Sequence, residues 1–218
     1  MNSPSVDREG IRGIQKRGCL LVIDGPSASG KSTIFRALLA HTDIRFTLAK
    51  RLTTRLKRSG EDDEDIYDFI THEEFNRLVE ETAFIEHKCY KFGMCYGLPK
   101  SEVMEKLNCG NHVIAMINLG NIVKVKAAVP DAFGVFINAS LDTIRKRLEK
   151  RGTHPAEQIE ERLGNAHKSL KYMPLYDLVV TNDNREVEDV AREIIQEFSS
   201  HTGGAIPSRA GRQPGENR

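Results

Sequence analysis

No excess of charge of either sign marks this chain: 32 Lys and Arg stand against 31 Asp and Glu, for a net charge of +1. A dedicated nucleic-acid binder usually carries a basic surplus on one face, so no nucleic-acid partner is expected, although local basic clusters can still form. Long apolar runs are also missing. No stretch approaches the roughly 18 apolar residues that a membrane-crossing helix needs, so no membrane partner is expected. The first 18 residues carry Arg and Lys but no apolar segment, so they are not expected to act as a secretory leader. Cysteine is sparse: Cys19, Cys89, Cys95 and Cys109 form no C-x-x-C pair and no zinc-site spacing with the seven histidines. The expectation is four free thiols in a reducing cytoplasm, with Cys19 packing inside a core strand. There is no internal repeat. The 218 residues suffice for one α/β domain with inserted subdomains and a sizeable core.

What is present is a phosphate-binding signature. Gly25-Pro26-Ser27-Ala28-Ser29-Gly30-Lys31-Ser32, with Thr33 behind it, fits G-x-x-x-x-G-K-[ST]. Cys19-Leu20-Leu21-Val22-Ile23 before it reads as a buried strand, and Ile34, Phe35, Leu38 and Leu39 after it have helical spacing. The two glycines let several backbone N–H groups aim at one anion, and the helix N-terminus adds its dipole. Lys31 suits the β- and γ-phosphates of a nucleotide, and the Ser32 hydroxyl suits Mg²⁺.

Along the chain, 1–18 and 201–218 read as loose tails. Between them, His112 to Ile117, Phe133 to Ile137 and Leu178 to Val180 read as short buried strands. Helices are expected over Asn121 to Ala128, from a Ser140 cap to Arg151 with Gly152 as its stop, from about Pro155, and along the face marked by Val187, Val190, Ile194, Ile195 and Phe198. This alternation predicts a parallel sheet with helices on both faces and a ligand site at the strands' carboxyl ends. Thr71-His72-Glu73-Glu74 forms a capping box, so a helix should start there.

The polar region from about Lys50 to Lys100 holds a second cluster. Arg51-Leu52-Thr53-Thr54-Arg55-Leu56-Lys57-Arg58 packs cations closely, and Tyr67 and Tyr96 lie downstream. Two readings stay open. Arg55 and Arg58 can grip a phosphate bidentately, or the segment is a solvated turn neutralised by Glu61-Asp62-Asp63-Glu64-Asp65. Glu86 likewise reads either as a ligand-binding carboxylate or as a surface acid paired with His87 or Lys88.

Over roughly 19–199 the chain resembles guanylate kinases. The resemblance rests on GPSASGKST, TTRLKRSGE followed by Tyr67-Asp68-Phe69, EEFNRLVEETAFIEH, GMCYGLPKSEV, RLEKRG and VVTND, in that order. It implies a P-loop kinase fold over 19–200, with an acceptor-binding subdomain at about 51–100 and a helical lid at about 146–165. The implied reaction is transfer from ATP, with Mg²⁺, onto a phosphate monoester, GMP first. By resemblance, Arg55, Arg58, Tyr67 and Tyr96 hold the acceptor phosphate and Glu86 reads guanine. Lid residues Arg147, Arg151 and Arg162 close over the transferring group, and Asn182 contacts adenine.

The chain departs from that pattern in places. Arg51 stands where the family usually has a small hydroxyl residue. Met116-Ile117-Asn118 replaces an Asp-x-Asp strand end, and an extra residue separates Glu86 from Tyr96. Arg51 and Asn118, both placed at the acceptor, resemble ribose 1,5-bisphosphate phosphokinase instead, which gives the alternative acceptor. A rival of another class is a catalytically inactive, protein-binding module of guanylate-kinase type. Such modules typically lose the P-loop lysine, which Lys31 retains.

Overall fold

Every residue of the first strand, β1 (Leu20–Asp24), is buried. A half-exposed strand would alternate, so β1 must be covered on both faces and paired on both edges. A computed structural model describes residues 17–57, 66–90, 93–152 and 155–204. In it, β1 lies between β7 (His112–Met116) and β8 (Phe133–Asn138), parallel to both. With β2 (Phe46–Leu48) and β9 (Leu178–Thr181) the order is β2-β7-β1-β8-β9, parallel throughout.

Alternate strand residues feed two cores. Leu21, Ile23, Ile114, Val135 and Ile137 meet Ile34, Phe35 and Leu38 of α1 (Lys31–Ala40) and Val190, Ile194 and Phe198 of α7 (Val187–His201). Leu20, Val22, Val113, Ala115 and Phe136 meet Val103 and Leu107 of α3 (Lys100–Asn108) and Ile122 and Val125 of α4 (Ile122–Ala128). Each large side chain so buried contributes about 1.5–3 kcal/mol, which is why a strand of five residues holds its place.

A second sheet projects from the first. It runs β4 (Tyr67–Phe69), β3 (Arg51–Thr53), β6 (Cys95–Pro99), β5 (Phe84–Cys89), with β3–β4 parallel and both β6 pairings antiparallel. Its own small core joins Phe84 and Cys95 to Phe75 of α2 (His72–Glu80). Thr71 caps α2 as expected: its Oγ1 accepts from the Glu74 amide at 3.1 Å. The expected lid is the pair α5 (Leu141–Arg151) and α6 (Ala156–Ser169), sealed by Ile144, Leu148, Ile159 and Leu163 against Ala28 of the glycine-rich loop. Ser140 caps α5 and Gly152, at φ 60°, ends it.

Two expectations are corrected. Cys89 and Cys95 lie opposite each other in the β5–β6 register and form a disulfide, so four free thiols are not what the fold holds. A hairpin brings together cysteines whose spacing matches no short motif. Gly18 and residues 201–204, expected within the tails, are held in the fold. The Gly18 amide donates to Leu107 O at 2.9 Å, α7 runs to His201, and the Gly204 amide donates to Ser199 O at 2.8 Å. The rest of both expected tails, 1–16 and 205–218, lies outside the described residues.

Candidate active site

The chain leaves β1 through a loop that only a special backbone can make. Gly25 has φ 141° and Gly30 φ 100°, and a Cβ on Gly25 would meet Ile137 O at 2.2 Å. Ala28 also takes a left-handed φ of 64°, a cost of about 1–3 kcal/mol that the surroundings must hold. They do so from the lid. Arg147 Nη1 donates to Ala28 O at 3.3 Å and Ser29 O at 3.0 Å, and its Nη2 donates to Asn182 O at 2.8 Å. Asn182 Nδ2 donates to Ser29 O at 2.8 Å. Arg162 Nη1 donates to Ser27 Oγ at 3.1 Å.

Lys31 opens α1 and its Nζ donates to Pro26 O at 2.6 Å, so its ammonium is folded over the loop. Ser32 and Thr33 are exposed at the same helix start. Thus Gly25, Ser27, Ala28, Ser29, Gly30, Lys31, Asn182, Arg147 and Arg162 are brought together at one loop. Arg151 ends α5, but its side chain lies outside the described residues, as does Arg58.

Beneath the loop sits a carboxylate that sequence reasoning passed over. Asp24 is 1% exposed. It accepts from the Gly25 amide at 2.6 Å, the Gly120 amide at 3.1 Å and the Tyr176 hydroxyl. Burial pushes its carboxyl above the ordinary range, against the Tyr176 and Gly25 hydrogen bonds and the charge of Lys31. Burial and the Asp24 charge likewise push the Tyr176 phenol up. An acid ending a buried strand was a usable signal for Asp24. Tyr176, 152 residues away, had none.

Across the cleft the second sheet presents the expected acceptor residues. The Arg55 guanidinium lies 5.1 Å from the ring centres of both Tyr67 and Phe69, and the Tyr67 and Tyr96 rings meet edge-on at 5.8 Å. Arg55 is 7% exposed, so the solvated-turn reading does not hold for it. Tyr90, also passed over, lies at the hairpin end against Tyr96 at 5.9 Å. Although Tyr90 is 40% exposed, partial desolvation raises its phenol, opposed by the Arg51 charge and reinforced by Tyr96 and by the Glu86 and Asp24 carboxylates.

Glu86 is neither on the surface nor paired with His87 or Lys88. It is 1% exposed and its oxygens are enclosed by donors. Arg51 Nη2 donates to Oε1 at 2.8 Å; Asn118 Nδ2 and Asn121 Nδ2 donate to Oε2 at 2.8 and 2.6 Å. Arg51, expected as an added cation at the acceptor, is ion-paired with Glu86 through Nη2 and is itself 3% exposed. Asn118, where the pattern has an acid, keeps the cluster from carrying a second negative charge. Asn121 was missed, and its place three residues beyond Asn118 was the available hint.

Among the described residues no group of three or more His, Cys, Asp or Glu is arranged to hold a metal. The fitting donor is the Ser32 hydroxyl at the helix start. One protein ligand is characteristic of an Mg²⁺ ion bound mainly by nucleotide phosphates and water. No helix among the described residues is long and apolar enough to cross a membrane.

Comparisons with known proteins agree with this architecture. A family model described as guanylate kinase matches residues 17–200. A guanylate kinase of Caldanaerobacter subterraneus subsp. tengcongensis is 40% identical over 189 residues, covering 84% of this chain and 90% of its own. One from Clostridium perfringens is 40% identical over 180 residues, covering 82% of this chain and 81% of its own. Among solved structures, the guanylate kinase of Anaplasma phagocytophilum superposes with a TM-score of 0.65 at 23% identity, covering 86% of this chain and 87% of its own, and so shares the fold.

Proposed function

This chain belongs to the guanylate kinase family, and on that premise we propose that it moves the γ-phosphoryl group of ATP onto GMP, giving ADP and GDP. It is a phosphotransferase rather than an inactive module: Lys31 and Ser32 open α1, and Arg147 and Arg162 both reach the loop before it. The observation that carries GMP as acceptor is Glu86. A buried carboxylate held flat by donors on both oxygens, beside a phosphate grip of Arg55, Tyr67 and Tyr96, complements the N1–H and 2-amino group of guanine.

Phosphoryl transfer asks for position and charge more than for covalent chemistry. The loop amides between Gly25 and Lys31 hold the β- and γ-phosphates of ATP, and Lys31 leaves Pro26 O for phosphate oxygens. Asn182 flanks the adenine. Arg147, already fixed to three carbonyls, and Arg162 on the facing helix supply charge as the phosphoryl group passes. Ser32 would hold Mg²⁺, which supplies charge neutralisation between the phosphates. Arg58 and Arg151 keep the roles that the resemblance gives them, acceptor grip and lid charge. We place the activity in the cytoplasm, where ATP and GMP are made.

The test of the acceptor is Glu86→Gln. The amide offers one acceptor and one donor where guanine needs two acceptors, a mismatch of about 1–3 kcal/mol. The expected result is a 10- to 100-fold fall in kcat/KM for GMP with KM for ATP unchanged. Thermal melts on the same samples separate lost recognition from unfolding. A folded Glu86→Gln protein with undiminished GMP efficiency would falsify the assignment.

A further inference from the structure

We propose that Arg51 is a second reader of the acceptor base, its guanidinium donating to O6 and N7 of guanine while Glu86 accepts from N1–H and the 2-amino group. The inference rests on GMP being the acceptor. Its starting point is the hydrogen-bond inventory of the Glu86 carboxylate. Oε1 accepts from Arg51 Nη2 at 2.8 Å and from the Asn118 amide at 3.4 Å. Oε2 accepts from Asn118 Nδ2 at 2.8 Å and Asn121 Nδ2 at 2.6 Å. A carboxylate has about four lone-pair sites, so the N1–H and 2-amino group of guanine enter only by displacing two of these donors, for which Arg51 and Asn121, each held to Glu86 by a single bond, are the candidates.

The donors are not equally committed. Asn118 binds through both its backbone and its side chain, and its Nδ2 also donates to Tyr96 O at 3.3 Å. Arg51 comes from the other side, on β3, and is underused where it lies. Its Nε is buried with no hydrogen-bond partner. Its guanidinium lies 5.7 Å from the centre of the Tyr96 ring, the tyrosine expected at the acceptor phosphate. If neutralising Glu86 were all that Arg51 did, a buried N–H with no acceptor would be an unanswered cost.

Guanine answers it. Arginine pairs bidentately with O6 and N7 of guanine, and those atoms adjoin the edge that Glu86 reads. The carboxylate and the guanidinium, side by side in the ligand-free chain, meet adjoining edges of one base. Adenine reverses both pairings, setting its 6-amino group against the guanidinium and its N1 lone pair against the carboxylate. The two residues therefore select guanine together, and each satisfies the other until the base arrives.

The experiment compares kcat/KM for GMP and 7-deaza-GMP, which differ at N7 alone, in the wild type, Arg51→Ser and Arg51→Lys. The wild type is expected to favour GMP by about tenfold, within the range of a bidentate base contact. That ratio should fall toward one in Arg51→Ser. In Arg51→Lys, which keeps the charge beside Glu86 with a single point donor, it should be intermediate, and this variant carries the test if the serine variant fails to fold. IMP, which lacks the 2-amino group, should be penalised equally in all three, because that contact belongs to Glu86. A wild-type ratio of one, or a ratio unchanged by either substitution, overturns the proposal while GMP turnover stands. A wild type that turns over another acceptor and not GMP overturns the GMP reading and this inference with it.

Discussion

Lys31 Nζ rests on Pro26 O, 2.6 Å away, at the mouth of a loop whose other side is held by Arg147 and Asn182. The ammonium lies over the loop proposed to hold phosphate, so its loss should be felt in turnover more than in stability. Lys31→Ala is expected to lower kcat on the order of 10³, the scale of removing one group that stabilises transition-state charge. Its melting temperature should be near that of the wild type. Steady-state turnover and a thermal melt check both parts, and near wild-type turnover in a folded variant would contradict the role. At this scale the sequence was legible where chemistry is local. The loop glycines, Lys31 and Ser32 are recognisable by spacing, because one turn of backbone must make the whole phosphate cradle. Glu86, Arg51 and Asn118 were legible as candidates, and their pairing with one another and with Asn121 was not. Arg51, Asn118 and Asn121 lie 32 to 35 residues from it and meet it through the pairing of the second sheet and its seat beside β7. Asp24 and Tyr176 illustrate the same limit across 152 residues.

Among the elements, long ones with a clear period were readable and very short ones were not. α7 and α5 follow from their apolar faces and, for α5, from Ser140 and Gly152 at its ends. β2, β3 and β4 have three residues each, too few to show alternation, and β3 carries a buried arginine that reads as surface. The region from Lys50 to Lys100, read as polar and, by resemblance, as an acceptor-binding subdomain, thus gave no strand signal of its own, while it holds a four-stranded sheet. The hairpin of that sheet carries the element-scale prediction. Cys89 and Cys95 are joined. Cys109 is exposed, and Cys19 is buried, its thiol pushed up to about 11 by burial and by the charge of Asp131. Protein purified without reductant should therefore show one rapidly reacting thiol when native and two when denatured. Reduction under denaturing conditions should raise the count to four. Four thiols in the denatured, unreduced protein would contradict the pairing.

The proposed reaction sets two surfaces of the molecule against each other. The parallel sheet ends at the phosphate loop, where ligands of such sheets bind, and the smaller sheet carries Arg55, Tyr67, Tyr96 and Glu86. The parallel sheet, its two helical layers and the lid helices were foreseen from the alternation of elements together with the family resemblance. GMP as first acceptor and Glu86 as its reader were foreseen from the resemblance; the buried cluster around Glu86 was not, because Arg51 and Asn118 break the familiar pattern and Asn121 completes the set. The account stands on the claim that this surface selects a guanine nucleotide. One measurement tests it most directly: product formation from Mg-ATP with GMP, AMP, UMP or ribose 1,5-bisphosphate offered separately to the wild-type chain. The account predicts ADP and GDP in equal amounts with GMP, and kcat/KM for AMP and UMP lower by about 10⁴ or more, as for a site built to hydrogen-bond its substrate. Turnover of ribose 1,5-bisphosphate or AMP with GMP left unchanged would contradict it.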